Sequence, residues 1–178
     1  MQEISTFWRI APADPDDSFS IYGNVADITD WPNWELVKEL FPVRLFIGKT
    51  DDPWDDAMLR LAEWQDFIWS DDEVPWVTQK GADLLLSSQL TGFQLRKILI
   101  TGIGNISLED VSPSELPSLY RLSVPSEVVI SPGMWPRTDF FIAMDRGRRL
   151  AITEKALNWL DQVGWKNFQV QPLEISDT

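Results

Sequence analysis

The sequence of 178 residues contains no cysteine and no histidine. Without cysteine it has no disulfide framework and no thiolate nucleophile, which favours a cytoplasmic protein. Without histidine it lacks the commonest general base and the commonest metal ligand. Ser-His-Asp and Cys-His triads are excluded, and so are zinc sites of the usual Cys/His type. An enzyme with this composition would have to use carboxylates, lysine, tyrosine or an oxygen-ligated metal.

Long hydrophobic segments are also missing. No apolar run approaches the ~18–20 residues that a transmembrane helix needs, so no membrane association is predicted. The N-terminus, MQEISTFWRI, has no basic segment followed by an apolar stretch, which predicts no secretory signal. Hydrophobic residues still make up 44% of the chain, enough for a core. The length predicts a single domain over residues 1–178.

Positive charge is scarce and unevenly placed. The chain has 28 Asp+Glu against 15 Lys+Arg, a net charge of −13. Residues 1–76 contain 17 Asp+Glu, 5 Lys+Arg and seven of the ten tryptophans, whereas residues 77–178 contain 11 Asp+Glu and 10 Lys+Arg. The first half is therefore acidic and tryptophan-rich. A negative field repels nucleic acid and attracts basic surfaces; the alternative is that these carboxylates serve solubility alone.

The second half of the chain contains an internal repeat. Residues 77–98 (VTQKGADLLLSSQLTGFQLRKI) align without a gap on residues 152–173 (ITEKALNWLDQVGWKNFQVQPL) after a shift of 75. The five identities in 22 positions are Thr78/Thr153, Lys80/Lys155, Leu85/Leu160, Phe93/Phe168 and Gln94/Gln169. Each copy predicts a short strand, a threonine N-cap, an amphipathic helix and a second strand. We expect the two units to superpose; the alternative is a chance likeness between two ordinary helix–strand units.

The other segments place strands and helices in loose alternation. Glycines mark the expected helix ends, Gly92 after a first repeat helix that runs to about Leu90, and Gly164 or Asn167 after the second. Residues 101–104 are expected to break the strand that follows Gly92. Further strands are predicted at residues 7–10, 43–47, 126–130, 140–144 and 150–152, and further helices at residues 31–40 and from Asp52 onward. With hairpins present, the pattern favours an α+β fold with a mixed or antiparallel sheet and two repeated strand–helix–strand units.

Carboxylates cluster twice in the acidic half. Oxygen ligands suit Mg²⁺ or Ca²⁺, but the spacing does not match the calcium loop D-x-[DN]-x-[DN]-G, so neither a metal nor a cofactor is predicted. As a capped helix start, the first cluster also suits an ordinary solvated surface. As a docking surface for a basic partner, with tryptophan supplying apolar contact, the two clusters give the predicted partner-binding residues: Asp51, Asp52, Asp55, Asp56, Trp54, Trp69, Asp71, Asp72 and Glu73.

Two other motifs are weaker. Arg146, Arg148 and Arg149 flank Gly147 and have the chemistry of a phosphate site. A basic hairpin tip, or internal pairing with the acidic half, is favoured instead. The TGIGN run at residues 101–105 lacks the spacing and the following helix of a nucleotide loop.

The repeat segments resemble parts of small bacterial immunity proteins from polymorphic toxin systems. The resemblance rests on a strand and a Ser/Thr-capped helix followed by a strand of the type seen at Thr91-Gly92-Phe93 and again at FQVQPL, residues 168–173. It covers about a third of the chain. The subtype with paired CxxCG metal motifs does not apply, because the chain has no cysteine.

This resemblance implies a cytoplasmic protein, without enzyme activity, that binds and blocks a cognate toxin domain. Because this protein is expected to bind through an acidic surface, the expected partner is a basic toxin domain. Neither nucleic acid nor a membrane is expected as a partner. One alternative is another acidic interaction protein, such as a nucleic-acid mimic or an effector chaperone. A second is an enzyme that uses the carboxylates of Asp52, Asp55 and Asp56 with Mg²⁺.

Overall fold

The computed structural model describes residues 7–12, 21–25, 41–47, 67–70, 74–103, 106–107, 117–129, 136–144, 147–166 and 168–173. These residues form twelve strands and two helices. The strands are β1 (Phe7–Pro12), β2 (Ile21–Val25), β3 (Phe41–Ile47), β4 (Ile68–Ser70), β5 (Pro75–Thr78), β6 (Gln94–Ile103), β7 (Ile106–Ser107), β8 (Leu119–Ser123), β9 (Glu127–Val128), β10 (Phe140–Met144), β11 (Arg148–Thr153) and β12 (Phe168–Pro172). The helices are α1 (Gln79–Ser87) and α2 (Glu154–Gln162).

The strands form two sheets. The first has five strands in the order β12-β1-β11-β10-β9, all antiparallel except for the β9–β10 pair. The second has seven strands in the order β3-β2-β4-β5-β8-β6-β7. Its β2–β4 and β3–β6 pairs are parallel, and the β3–β6 pair closes the pairings into a cycle of six strands with β7 attached to β6. The predicted α+β class with mixed sheets is confirmed.

Each repeat segment contributes two strands that do not pair with each other. Strands β5 and β6, joined by α1, both pair antiparallel with β8, which lies between them. Strands β11 and β12, joined by α2, both pair antiparallel with β1 in the same way. A hairpin partner precedes each unit, β4 beside β5 and β10 beside β11. The two segments therefore share one topology, while their superposition in space stays a prediction.

The two helices begin in the same way. Thr78 and Thr153 are the N-cap residues, and each hydroxyl accepts a hydrogen bond from a backbone N–H three residues on, at 3.3 Å in both cases. This satisfies one of the donors that the first turn of a helix leaves unpaired. Both helices are nine residues long, and their bounds differ by the shift of 75 seen in the sequence. Neither is long and apolar enough to cross a bilayer.

The helices end differently, because one copy has a glycine where the other does not. After α2, Gly164 has φ +73, and its N–H bonds to Asp161 O while the N–H of Trp165 bonds to Leu160 O. These two bonds form a Schellman motif, and the expected role of Gly164 is confirmed. The matching position after α1 is Gln89.

Serine hydroxyls end α1 instead. The backbone becomes extended at Ser88. The Ser87 hydroxyl donates to Leu84 O, and the Ser88 hydroxyl donates to Leu85 O. The helix therefore stops at Ser87, short of the expected Leu90, and Gly92 does not end it. The expected break at residues 101–104 was also wrong, because β6 continues through Ile103. The predicted helices at residues 31–40 and from Asp52 lie outside the described residues.

One hydrophobic core joins both repeat units. Leu85 of α1 and Leu160 of α2 are 0% exposed and belong to the same buried cluster. Phe67 lies in this cluster, with its ring 4.7 Å from that of Trp165 and 5.6 Å from that of Phe168. The cluster covers one face of the second sheet, and four further buried residues lie on its opposite face: Ile68, Trp76, Ile98 and Leu119.

The β1–β12 pair accommodates two prolines. The N–H of Leu173 bonds to Phe7 O at 2.9 Å. In an antiparallel pair, every second residue of β12 counted from Leu173 therefore directs its N–H toward β1. Pro172 and Pro12 occupy the alternate positions, at which an N–H would point away from the pair. Neither proline therefore removes a hydrogen bond between these strands. Among the described strands, β12 pairs with β1 alone.

Gly92 is required by a close approach. Its φ is +91, and a Cβ at this position would lie 2.6 Å from Thr138 Cβ and would also overlap Phe140 O. The adjacent Thr91 O accepts hydrogen bonds from the N–H groups of Asp139 and Phe140. The segment after α1 therefore packs directly against the start of β10, in contact that a side chain at position 92 would prevent.

We expect Leu85→Ala and Leu160→Ala each to lower the free energy of unfolding by ~2–5 kcal/mol, because each leaves a cavity in the core. Leu86→Ala is the matched control, since the neighbouring Leu86 is 69% exposed and its loss should change stability by less than ~0.5 kcal/mol. Urea denaturation of the three variants measures this. Equal midpoints for Leu85→Ala and Leu86→Ala would contradict the assignment of the core.

We expect Gly92→Ala to destabilise the protein more than Gly147→Ala. Both glycines have positive φ, +91 and +141, but only Gly92 has atoms within 4 Å of the added Cβ. Backbone strain costs ~1–3 kcal/mol at either position, and the overlap with the start of β10 adds to it at position 92 alone. Thermal unfolding of the two variants gives the comparison; equal losses would mean that the segment moves away from β10 without cost.

Candidate functional site

Asp139 is the buried charged residue of the described chain. It lies just before β10, is 8% exposed, and directs its carboxylate toward two other segments, the one after α1 and the start of α2. Its Oδ2 accepts hydrogen bonds from the backbone N–H of Thr91 at 2.9 Å and from the Thr91 hydroxyl at 3.1 Å. Its Oδ1 accepts a bond from the hydroxyl of Thr153 at 3.1 Å. Both carboxylate oxygens are thus engaged by the protein itself, as burial of a charge requires.

Lys155 supplies the opposite charge. Its Nζ lies 3.1 Å from Asp139 Oδ2 and 2.8 Å from the carbonyl oxygen of Gln89. The lysine side chain is 57% exposed, so this ion pair lies at the edge of the core. Together with the Asp139 bonds, it joins the segment after α1 to the first turn of α2. We call Thr91, Asp139, Thr153 and Lys155 the Asp139 network; its geometry positions elements of the fold.

Sequence reasoning missed the Asp139 network. Lys155 and Thr153 are both identical in the repeat, but their matches Lys80 and Thr78 gave no reason to expect a carboxylate nearby. An acidic residue directly before the apolar run FFIAM was the available signal, since a charge beside a buried strand needs a partner.

A crevice of about 250 Å³ lies where the two sheets meet. Arg121, Leu122, Ser123 and Val124 line it from the end of β8, and Arg148 lines it from β11. At 2.6 Å, Arg148 Nη1 contacts Glu127 Oε1. Internal pairing of this arginine, which the sequence favoured, is therefore observed, but the partner belongs to the repeat half and not to the acidic half.

The predicted partner surface lies outside the described residues, except for Trp69. This holds for Asp51, Asp52, Trp54, Asp55, Asp56, Asp71, Asp72 and Glu73. Of the 17 carboxylates of residues 1–76, Glu3 precedes β1 and the other 16 stand in the sequence between described strands; none belongs to β1, β2, β3, β4 or β5. The described part of the acidic half is therefore a framework without negative charge.

The expectation for Trp69 needs correction. Its side chain is 6% exposed and packs in the shared core, with its ring 5.8 Å from that of Phe67. Residues alternate between the two faces of a strand, and β4 places Trp69 on the core face together with the preceding Phe67. Trp69 therefore offers no exposed apolar surface, whereas its neighbours at positions 71–73 lie outside the described residues.

Comparisons with known proteins add no assignment. No protein-family model matches the chain, and no curated protein matches it. Within the part of the chain that the structure describes, no three His, Cys, Asp or Glu residues are grouped so that they could hold a metal ion.

We expect Asp139→Ala to destabilise the protein by at least ~1–3 kcal/mol, because it leaves buried hydrogen-bond donors without an acceptor. Lys155→Met should cost less, since the lysine side chain is 57% exposed. Asp161→Asn is the matched control, because the Asp161 side chain is exposed and lies near the end of α2, where a negative charge is unfavourable. Chemical denaturation ranks the three variants, and an Asp139→Ala protein as stable as Asp161→Asn would rule out the structural role of the Asp139 network.

Proposed function

We propose that this protein is an immunity protein that binds a cognate toxin in the cytoplasm and neutralises it through an acidic surface. The observation that carries the proposal is the distribution of charge. All 17 carboxylates of residues 1–76 stand outside the described strands, 16 of them between one strand and the next, whereas residues 77–178 have nearly balanced charge. The negative charge is therefore concentrated in the segments that connect the framework of one half of the protein.

A basic toxin domain would be attracted to such a surface. Complementary charge speeds encounter and excludes partners of the same sign, while the hydrogen bonds and apolar contacts formed afterwards supply most of the affinity. Toxin domains that act on nucleic acid need a basic surface to bind their own substrate. An acidic inhibitor would occupy that surface, which explains how binding alone blocks activity without chemistry by the inhibitor.

The described side chains favour binding over catalysis. The buried carboxylate, Asp139, is engaged at both oxygens by Thr91, Thr153 and Lys155. It joins two segments of the fold, which is a structural role. The resemblance of the repeat segments to immunity proteins supports the same proposal. The resembling residues form strands and helices of the framework, so the resemblance concerns structure and not catalytic residues.

The proposal is tested by binding kinetics against the product of the neighbouring upstream gene. Reversing four acidic residues should slow association sharply, because the steering field is removed while the framework is untouched; the four are Asp51, Asp55, Asp71 and Asp72, each changed to Lys. Single Asp→Asn changes should be mild, at about 0–1 kcal/mol, because exposed ion pairs contribute little. The wild-type association rate should fall with added salt, as the screening length shortens to ~8–10 Å.

The matched control reverses four carboxylates of the repeat half: Asp83, Asp110, Glu115 and Asp161, each changed to Lys. It makes the same change in net charge and should slow association much less. Circular dichroism verifies that both variants are folded. Equal slowing by both would assign the effect to net charge, and an association rate that ignores salt and the acidic-half variant would place the interface elsewhere. Mg²⁺-dependent turnover lost with Asp52, Asp55 and Asp56 would favour the enzyme alternative.

A further inference from the structure

The crevice between the two sheets has walls of two kinds. From the second sheet it is lined by the start of β5 and the end of β8, and from the first sheet by β10 and β11. Six of the nine described lining residues are apolar, and the polar ones are Arg121, Ser123 and Arg148. Arg121 is the cross-strand partner of Trp76, so its side chain starts on the face of the second sheet opposite the core. The described lining therefore combines the Arg148 guanidinium with an apolar floor, and it includes no carboxylate.

The apolar floor is continuous with the core. Ile142 and Leu150 are direct cross-strand partners on β10 and β11, so their side chains lie on one face of the first sheet. Leu150 is 7% exposed and belongs to the shared core. Arg148 lies two residues before Leu150 and therefore on the same face. A ligand in the crevice would meet Ile142 and Leu150 with one end and the Arg148 guanidinium with the other.

Arg148 is accessible from solvent. Its side chain is 66% exposed, and its contact with Glu127 uses Nη1. A guanidinium has five N–H donors, so the Glu127 contact alone does not exhaust its capacity. The contact with the Glu127 carboxylate, which is 43% exposed, shows that this guanidinium pairs with a carboxylate. The carboxylate of a ligand would either displace Glu127 or bind to the remaining N–H donors.

We propose that this crevice binds a carboxylate that is attached to a short apolar group. Arg148 pairs with the carboxylate, because guanidinium and carboxylate match in geometry and charge. The apolar group lies on Ile142 and Leu150. The volume of about 250 Å³ is below the ~300–1,000 Å³ of typical ligand pockets, which restricts the ligand to a short chain. The proposal is independent of the toxin-binding function.

Inorganic phosphate fits this lining less well. It would pair with the Arg148 guanidinium but would leave the apolar floor uncovered, and hydrophobic contact scales with the apolar area removed from water. The same chemistry has two sources, a free short-chain carboxylic acid and the C-terminal carboxylate of a peptide that ends in an apolar residue. Hexanoate represents the first source, and a peptide ending in valine, with its C-terminal amide as control, represents the second.

The experiment titrates the full-length protein with each probe by calorimetry. We expect hexanoate or the free-acid peptide to bind, inorganic phosphate to bind at least tenfold more weakly, and the peptide amide not to bind. Absence of binding by both carboxylate probes at millimolar concentration would overturn the proposal. Phosphate binding as tight as that of the better carboxylate would overturn it as well, since the apolar floor would then contribute nothing.

Substitutions locate the site. Arg148→Gln should weaken binding about tenfold or more, the loss expected for a charge-assisted hydrogen bond. The matched control is Arg149→Gln, because the adjacent residue lies on the opposite face of β11 and should leave affinity within about twofold. Glu127→Gln should strengthen binding, since it removes the competing carboxylate. Val124→Trp should abolish binding by filling the crevice. Equal effects of Arg148→Gln and Arg149→Gln in folded proteins would place the carboxylate elsewhere.

Discussion

Each of the two repeat units depends on a middle strand that comes from outside the unit. Strands β5 and β6 have no ladder to each other and both pair directly with β8, and β11 and β12 both pair directly with β1. Backbone groups at a strand edge need partners when they are buried, so neither unit is complete on its own. Because β1 is the first described strand and β12 the last, the structure of the second unit requires contact between the two ends of the described chain.

The sequence predicted the local features of the repeat well, because they depend on neighbouring residues. The threonine caps, the helix starts and the buried leucines at positions 85 and 160 follow from short-range hydrogen bonding and from amphipathic spacing. The strand order was not predictable, since nothing local in FWRIAP specifies that β1 enters between β11 and β12. The end of α1 was misplaced because Gly92 has a positive φ for a reason outside the helix, its contact with β10.

The candidate sites divide in the same way into features that the sequence indicates and features that only tertiary contacts create. The acidic clusters were visible as composition, but Trp69 was assigned to them by proximity in sequence, although strand alternation places its ring in the core. The partners of Asp139 were not predictable for the opposite reason. Its four hydrogen-bonding contacts come from residues that are distant in sequence, so the acidic residue before FFIAM indicates that a partner is needed but does not identify it. The crevice likewise combines Arg121 and Arg148 from different sheets, which only the tertiary structure brings together.

The position of Pro172 has a consequence for the outer edge of the first sheet. Among the described strands, β12 pairs only with β1, and its alternate residues Phe168, Val170 and Pro172 direct their backbone outward. An open strand edge is a template for another strand, and repeated pairing of such edges leads to aggregates. At Pro172 the outward N–H is replaced by the pyrrolidine ring, so an incoming strand would find its ladder interrupted after two donors. The proline thus protects one end of the sheet against self-association without weakening the pair inside it.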